Sequence, residues 1–100
     1  MYIAMNRFRI HAGREPDFEK VWSERESFLD EVPGFREFHL LRGDTAEGFT
    51  TYVSHSVWES RAAFEGWTRS EAFRKAHMQA RTPQGITEGH TRFEGYEAVL

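Results

Sequence analysis

Residues 33–60 read PGFREFHLLRGDTAEGFTTYVSHSVWES. The stretch holds two strand-like runs back to back, with helix punctuation at both ends. Pro33-Gly34 stops whatever helix precedes it. From Phe35 to Arg42 the residues alternate, with Phe38 and Leu40 on one face and Phe35, His39 and Leu41 on the other. Gly43-Asp44-Thr45-Ala46-Glu47-Gly48 reads as a hairpin loop. Phe49 to Trp58 is rich in Thr, Tyr and Val, the composition of a second strand. Ser60 then suits the cap of a new helix.

Upstream of this core, Phe18, Val21, Trp22, Arg25, Leu29 and Val32 recur at helical spacing behind Pro16, with Asp17 and Glu19 at the positive dipole end. One amphipathic helix of roughly 16 residues is expected, ending at Pro33-Gly34. Residues 2–10 alternate as a strand: Ala4, Asn6, Phe8 and Ile10 point one way, Ile3, Met5, Arg7 and Arg9 the other. Asn6 sets an amide on a face that is otherwise apolar. Downstream, Ala63, Phe64 and Trp67 share a helix face. Ser70 starts another helical segment, with Ala72, Phe73, Ala76, His77 and Ala80 on one side, and Pro83 stops it. Residues 82–90 carry two Gly and a Pro without periodicity and read as a loop. Thr91 to Leu100 is a final strand with Phe93, Tyr96 and Val99.

The order strand, helix, strand, strand, helix, strand is the ferredoxin-like β-α-β-β-α-β arrangement, an α+β fold in one domain over residues 1–100. Two helices cover one face of such a sheet. At 100 residues the chain buries only roughly 60–65% of its unfolded surface, so its core is thin. A second copy packed sheet to sheet, giving a dimeric α/β barrel, would cover the other face. A pocket within one subunit would then lie between helices and sheet.

Composition narrows the function. Nine Phe, three Trp and three Tyr supply much of the apolar bulk, as core or as the lining of a flat pocket. The net charge is −3 and the positive charges are scattered, unlike the basic stripe of a nucleic-acid binder. The absence of cysteine excludes disulfides, thiol nucleophiles and Cys-based zinc sites. No run approaches the length of a membrane helix, and the start has no basic region followed by an apolar stretch, so no membrane contact and a cytoplasmic location are expected. P-loop, dinucleotide-glycine, His-Glu-x-x-His and Gly-x-Ser-x-Gly motifs are all missing.

The histidines are His11, His39, His55, His77 and His90, and none pair at i, i+4. His11 and His90 read as exposed, and His39 and His55 as strand residues on the face a partner would cover. His77 shares its helix face with Phe73, Ala76 and Ala80, so it is either a core histidine or a heme axial ligand. Taken alone, Trp67 is a core tryptophan and Asn6 a strand residue bonded to backbone.

The whole chain resembles the antibiotic-biosynthesis-monooxygenase superfamily and, within it, the IsdG-type heme-degrading enzymes. The resemblance is carried by Asn6-Arg7-Phe8, Val32-Pro33-Gly34-Phe35, Leu40-Leu41-Arg42, Trp58-Glu59-Ser60 with Ala63-Phe64 and Trp67, and Ala72-Phe73 leading to Ala76-His77. The joint presence of Asn6, Trp67 and His77 points to the heme-degrading branch. Relatives often read His-Trp-Glu-Ser where this chain has Val57-Trp58-Glu59-Ser60, which suggests a two-residue insertion or bulge in the third strand. The resemblance implies that heme is both cofactor and substrate, that His77 is the proximal iron ligand, that Asn6 lies over the distal face and that Trp67 presses on the porphyrin edge. It also implies O2 and an external electron donor, either a reductase or a small-molecule reductant. Phe8, Trp22, Phe64 and Phe73 are the candidates to line the heme slot, and Arg25 the candidate for its propionates. The competing readings are a cofactor-independent oxygenase of an aromatic substrate and a non-enzymatic heme carrier.

Overall fold

A computed structural model describes residues 1–24, 29–71, 73–75 and 85–100. Four strands, β1 (Tyr2–His11), β2 (Phe35–Ala46), β3 (Phe49–Trp58) and β4 (Thr87–Glu97), form one antiparallel sheet in the order β2-β3-β1-β4. Helix α1 (Glu15–Ser23) follows β1 and α2 (Arg61–Thr68) follows β3. This is the expected ferredoxin-like arrangement, with the hydrophobic strand β1 in the interior of the sheet.

Alternation decides which face each residue takes. Tyr2, Ala4 and Ile10 of β1 and Thr50, Tyr52, Ser54, Ser56 and Trp58 of β3 are buried, and all of them point to the helices. β1 and β3 pair without interruption from Tyr2↔Trp58 to His11↔Phe49. The irregularity expected in the third strand is therefore not there. It lies in β2, whose register against β3 shifts between Phe35 and Glu37 and again between Arg42 and Thr45. The first shift also corrects the face of Phe35. Bulging at Arg36 returns Phe35 to the side of Phe38, where it packs edge-on against Trp58 at 5.5 Å.

Three further boundaries differ from expectation. Residues 43–46 belong to β2, because the second shift absorbs Gly43-Asp44 and the turn needs only Glu47-Gly48, both at positive φ. α1 closes at Ser23, whose hydroxyl donates back to the Lys20 carbonyl, and Leu29–Glu31 forms a separate 3-10 turn that delivers Leu29 to the core. β4 begins at Thr87 inside the expected loop. Between Arg92↔Arg7 and Glu88↔Arg9 it takes four steps against two on β1, and Gly89 at φ 71° accommodates the excess, which hides the alternation from a reading of sequence.

The helix ends follow their residue chemistry. The Ser60 hydroxyl accepts from the Ala63 amide at 3.1 Å, and the Ser70 hydroxyl accepts from the Phe73 amide at 3.2 Å, opening the next helical turn. Gly34 sits at φ 84°, and a β-carbon there would lie 2.5 Å from that of Ala63. Its carbonyl accepts from the Glu59 amide at 2.8 Å, tying the entry of β2 to the exit of β3.

Among the described residues no helix lies on the second sheet face. On it Ile3, Met5, Val53 and His55 are half-buried, while Leu41 and Tyr96 are exposed. His39 and His55 are register partners there, as expected for these two strand histidines, and among the described residues the buried His55 Nδ1 has no hydrogen-bond partner. Among the described residues no helix is long and apolar enough to cross a membrane.

Candidate functional site

The core is split. Tyr2, Ala4, Leu29 and Trp58 form one buried cluster under α2; Ile10, Phe18, Tyr52 and Ile86 form another under α1. Each helix thus covers one end of the same sheet face. The cross-strand row between them runs Leu40, Ser54, Asn6, Phe93 from β2 to β4. None of the row belongs to either buried cluster, though Leu40 packs against the α1 one.

Aromatic rings wall this row on both sides. From the α1 side come Phe8 and Trp22, edge-on at 5.9 Å, with Trp22 stacked on Phe38 of β2 at 5.6 Å. From the α2 side comes a chain of rings: Phe73 stands perpendicular to Trp67 at 4.7 Å, Trp67 meets Phe64 at 6.3 Å, and Phe64 stacks on Phe93 at 5.7 Å and 10°. Phe93 is the register partner of Asn6. The ring chain therefore joins Trp67 to the strand position beside Asn6, so these two expected site residues belong to one region.

The polar groups of the region are neutral. Asn6 is half-buried and Ser54 is 4% exposed. Among the described residues neither side chain makes a hydrogen bond. Among the described residues the buried Trp67 Nε1 has no hydrogen-bond partner. Buried donors are almost always satisfied, so the orphaned Trp67 indole N–H in an aromatic surround points to a missing ligand or water. Neighbouring Ser56 shows the contrast: its hydroxyl donates to the Ala4 carbonyl and accepts from Trp58 Nε1 at 2.9 Å, so it is spent on structure. Flat walls, an uncharged floor and a free indole N–H suit a planar aromatic ligand carrying an acceptor.

A charged cluster flanks the α1 end. The Tyr52 hydroxyl donates to the Glu19 carboxylate, which also accepts from Arg42 at 3.2 Å. Burial, with the Glu19 bond second, pushes the Tyr52 hydroxyl up to about 12. Beside it Thr50 donates to Glu15 at 3.0 Å, and the Glu15 carboxyl is held below its ordinary range chiefly by the backbone amide at its own helix start. These carboxylates are bonded into the scaffold.

Of the expected lining residues, Phe8, Trp22, Phe64 and Phe73 all stand in the two walls. His77 and Arg25 lie outside the described residues. Reading the sequence missed Phe38, Phe93 and Ser54. Ser54 carried the same signal as Asn6, a polar residue on a helix-facing strand position, but Thr50 and Ser56 in the same alternation made it look ordinary. Among the described residues no three His, Asp or Glu side chains gather as a metal site.

The sequence pattern of the antibiotic biosynthesis monooxygenase family matches residues 1–79. The heme oxygenase (mycobilin-producing) of Mycobacterium tuberculosis is 34% identical over 98 residues, covering 98% of this chain and 89% of that protein. Among solved structures, the heme-degrader MhuD of M. tuberculosis with two hemes in its active site superposes with a TM-score of 0.76 at 30% identity, over 100% of this chain and 97% of that one. A MhuD variant holding manganese protoporphyrin IX gives a TM-score of 0.78 at 27% identity, over 100% and 96%. SnoaB, a cofactor-independent oxygenase from Streptomyces nogalater, shares the fold at a TM-score of 0.70 and 22% identity, over 99% and 93%.

Proposed function

This chain belongs to the antibiotic biosynthesis monooxygenase family, and we propose that within it the protein is a heme-degrading monooxygenase, binding heme as its substrate and opening the porphyrin with O2 and electrons from an external donor. The observation that carries this reading is the set of aromatic rings bracketing the Asn6 row, with the buried Trp67 Nε1 in that set left unpaired among the described residues. A porphyrin is flat, wide and apolar, and its faces match walls of stacked and edge-on rings. Likeness to the mycobacterial heme oxygenase at 34% identity across nearly the whole chain supports the same assignment.

In this reading the residues divide the work. Phe8, Trp22, Phe64 and Phe73 exclude water from the ring faces. Asn6 projects from the sheet floor and offers an uncharged N–H donor without adding a competing charge. Trp67 would pack against a bound porphyrin. His77 would supply the imidazole that holds its iron, and Arg25 would serve a propionate as a charge-assisted donor. The iron, when bound, would supply the dioxygen chemistry. A second copy of the chain covers the helix-free sheet face, supported by the half-buried Ile3, Met5 and Val53 there and the exposed Leu41 and Tyr96 beside them.

Hemin titration followed by reduction in air tests the proposal. A Soret band should form, then decay with release of chelatable iron and a bilin detected by mass. His77→Ala should abolish or strongly weaken the band. A complex that survives reductant and air would make the protein a carrier. A colourless protein that fails to take hemin but consumes O2 with a quinol would make it a cofactor-independent oxygenase.

A further inference from the structure

We propose that Ser54 is a second hydrogen-bonding residue of the site, forming with Asn6 a two-point floor that takes one small acceptor atom of the ligand, or a single water when no ligand is bound. The inference deepens the heme reading and rests on it for the identity of the ligand.

Three observations carry it. Ser54 is the cross-strand partner of Asn6, and directly opposed residues hold their β-carbons about 4.5–5.5 Å apart, so one atom can sit within reach of both side chains. Ser54 is 4% exposed and its hydroxyl makes no hydrogen bond among the described residues. Its flanking positions on the same face, Tyr52 and Ser56, are both bonded into the protein, so the lack of a partner is particular to this hydroxyl. The Ser54 hydroxyl is not one of the fully buried unpartnered atoms among the described residues, so it keeps an opening through which a ligand atom or a water can reach it.

The floor is neutral, and it lies between apolar neighbours, Leu40 on β2 and Phe93 on β4. Two neutral donors converging on one point favour a compact, electron-rich acceptor. They do not favour a full carboxylate, which would need a cation for its charge. Ser54 therefore acts on the centre of the bound ligand and not on its charged margin.

Fluoride binding to the ferric hemin complex reads this directly, because fluoride is a small acceptor that responds to donors above the iron. Ser54→Ala and Ser54→Val should each lower fluoride affinity about tenfold, the scale of one hydrogen bond to a charged acceptor. Ser54→Thr, which keeps the hydroxyl, should retain the wild-type value. Unchanged fluoride affinity in both Ala and Val variants overturns the proposal. An apo crystal structure supplies an arm that needs no heme: a water bonded to both Ser54 Oγ and Asn6 supports the floor, and a Ser54 hydroxyl bonded to backbone overturns it. Failure of the wild-type protein to take hemin would defeat the heme reading alone, and the apo arm would still decide the role of Ser54.

Discussion

Asn6 and Ser54 face each other across two central strands, yet their neighbours above and below are tied into cores at either end of the sheet. Asn6→Ala should therefore leave hemin affinity within a few-fold of wild type, measured by Soret titration, while suppressing turnover under reductant and air. Equal turnover would remove Asn6 from the chemistry. Tyr52 makes a different prediction. Its folded-state pKa is raised, to about 12, above an ordinary value of 10.0. A raised acid favours its protonated form in the folded state, so the contribution is fully present below pH 10 and is lost as pH rises through about 12. Melting temperature measured against pH should fall more steeply over that window in wild type than in Tyr52→Phe. Identical slopes would show that the buried hydroxyl bond to Glu19 adds nothing. Asn6 was legible from its own strand, because a lone amide interrupted an apolar alternation. Ser54 was not, since the number of polar residues facing the helices from β3 only acquires meaning once partners are assigned and one hydroxyl is left over.

Elements were legible wherever a single period ran unbroken. β1 and β3 pair continuously: the faces of β1 follow from its alternation, and the limits of β3 from its Thr, Tyr and Val content. β2 was misread at Phe35 because a bulge changes the parity of a strand, and a bulge is a property of the pair. β4 was shortened for the same reason at Gly89. The helix expected through Val32 mixed two elements, since Leu29 and Val32 satisfy the helical spacing while belonging to a turn that feeds the core from a different direction. Local tethers between elements give testable energetics. Ser60→Ala removes the acceptor for the Ala63 amide and should cost about 1 kcal/mol in urea unfolding. Gly34→Ala should cost more: a left-handed conformation alone costs about 1–2 kcal/mol outside glycine, and the new methyl would have to displace α2 at Ala63. A Gly34→Ala protein as stable as wild type would contradict the close approach of α2 to the β2 entry.

At the scale of the molecule, the ferredoxin-like order was readable because the unbroken pair of strands between two helices admits few other topologies. The uncovered sheet face was readable too, because two helices cover only one face of such a sheet and a 100-residue core is thin. Its centre holds Met5 beside His55 of β3 and Glu94 of β4. Met5→Glu should place a second carboxylate there and turn a dimer in sedimentation velocity into a monomer, leaving far-UV circular dichroism unchanged. A monomeric wild type would remove the second copy from the proposed assembly. What the sequence alone left indistinct was where the slot lies. Its walls are drawn from β1, α1, β2, α2, β4 and the turn opened by Ser70, and their meeting depends on the two helices settling over opposite ends of the sheet.

That division of the core has an evolutionary consequence. Structural integrity resides in two anchors, one around Trp58 and one around Phe18. Between them Asn6 and Ser54 belong to neither anchor, whereas Leu40 packs on the Phe18 side and Phe93 stacks on Phe64. Libraries randomised at Asn6 and Ser54 should yield folded protein far more often than libraries at Tyr2, Ile10, Tyr52 and Trp58. Such a scaffold can exchange its ligand by rewriting one row of side chains, so new chemistries are reached by short mutational walks across a floor whose supports stay fixed.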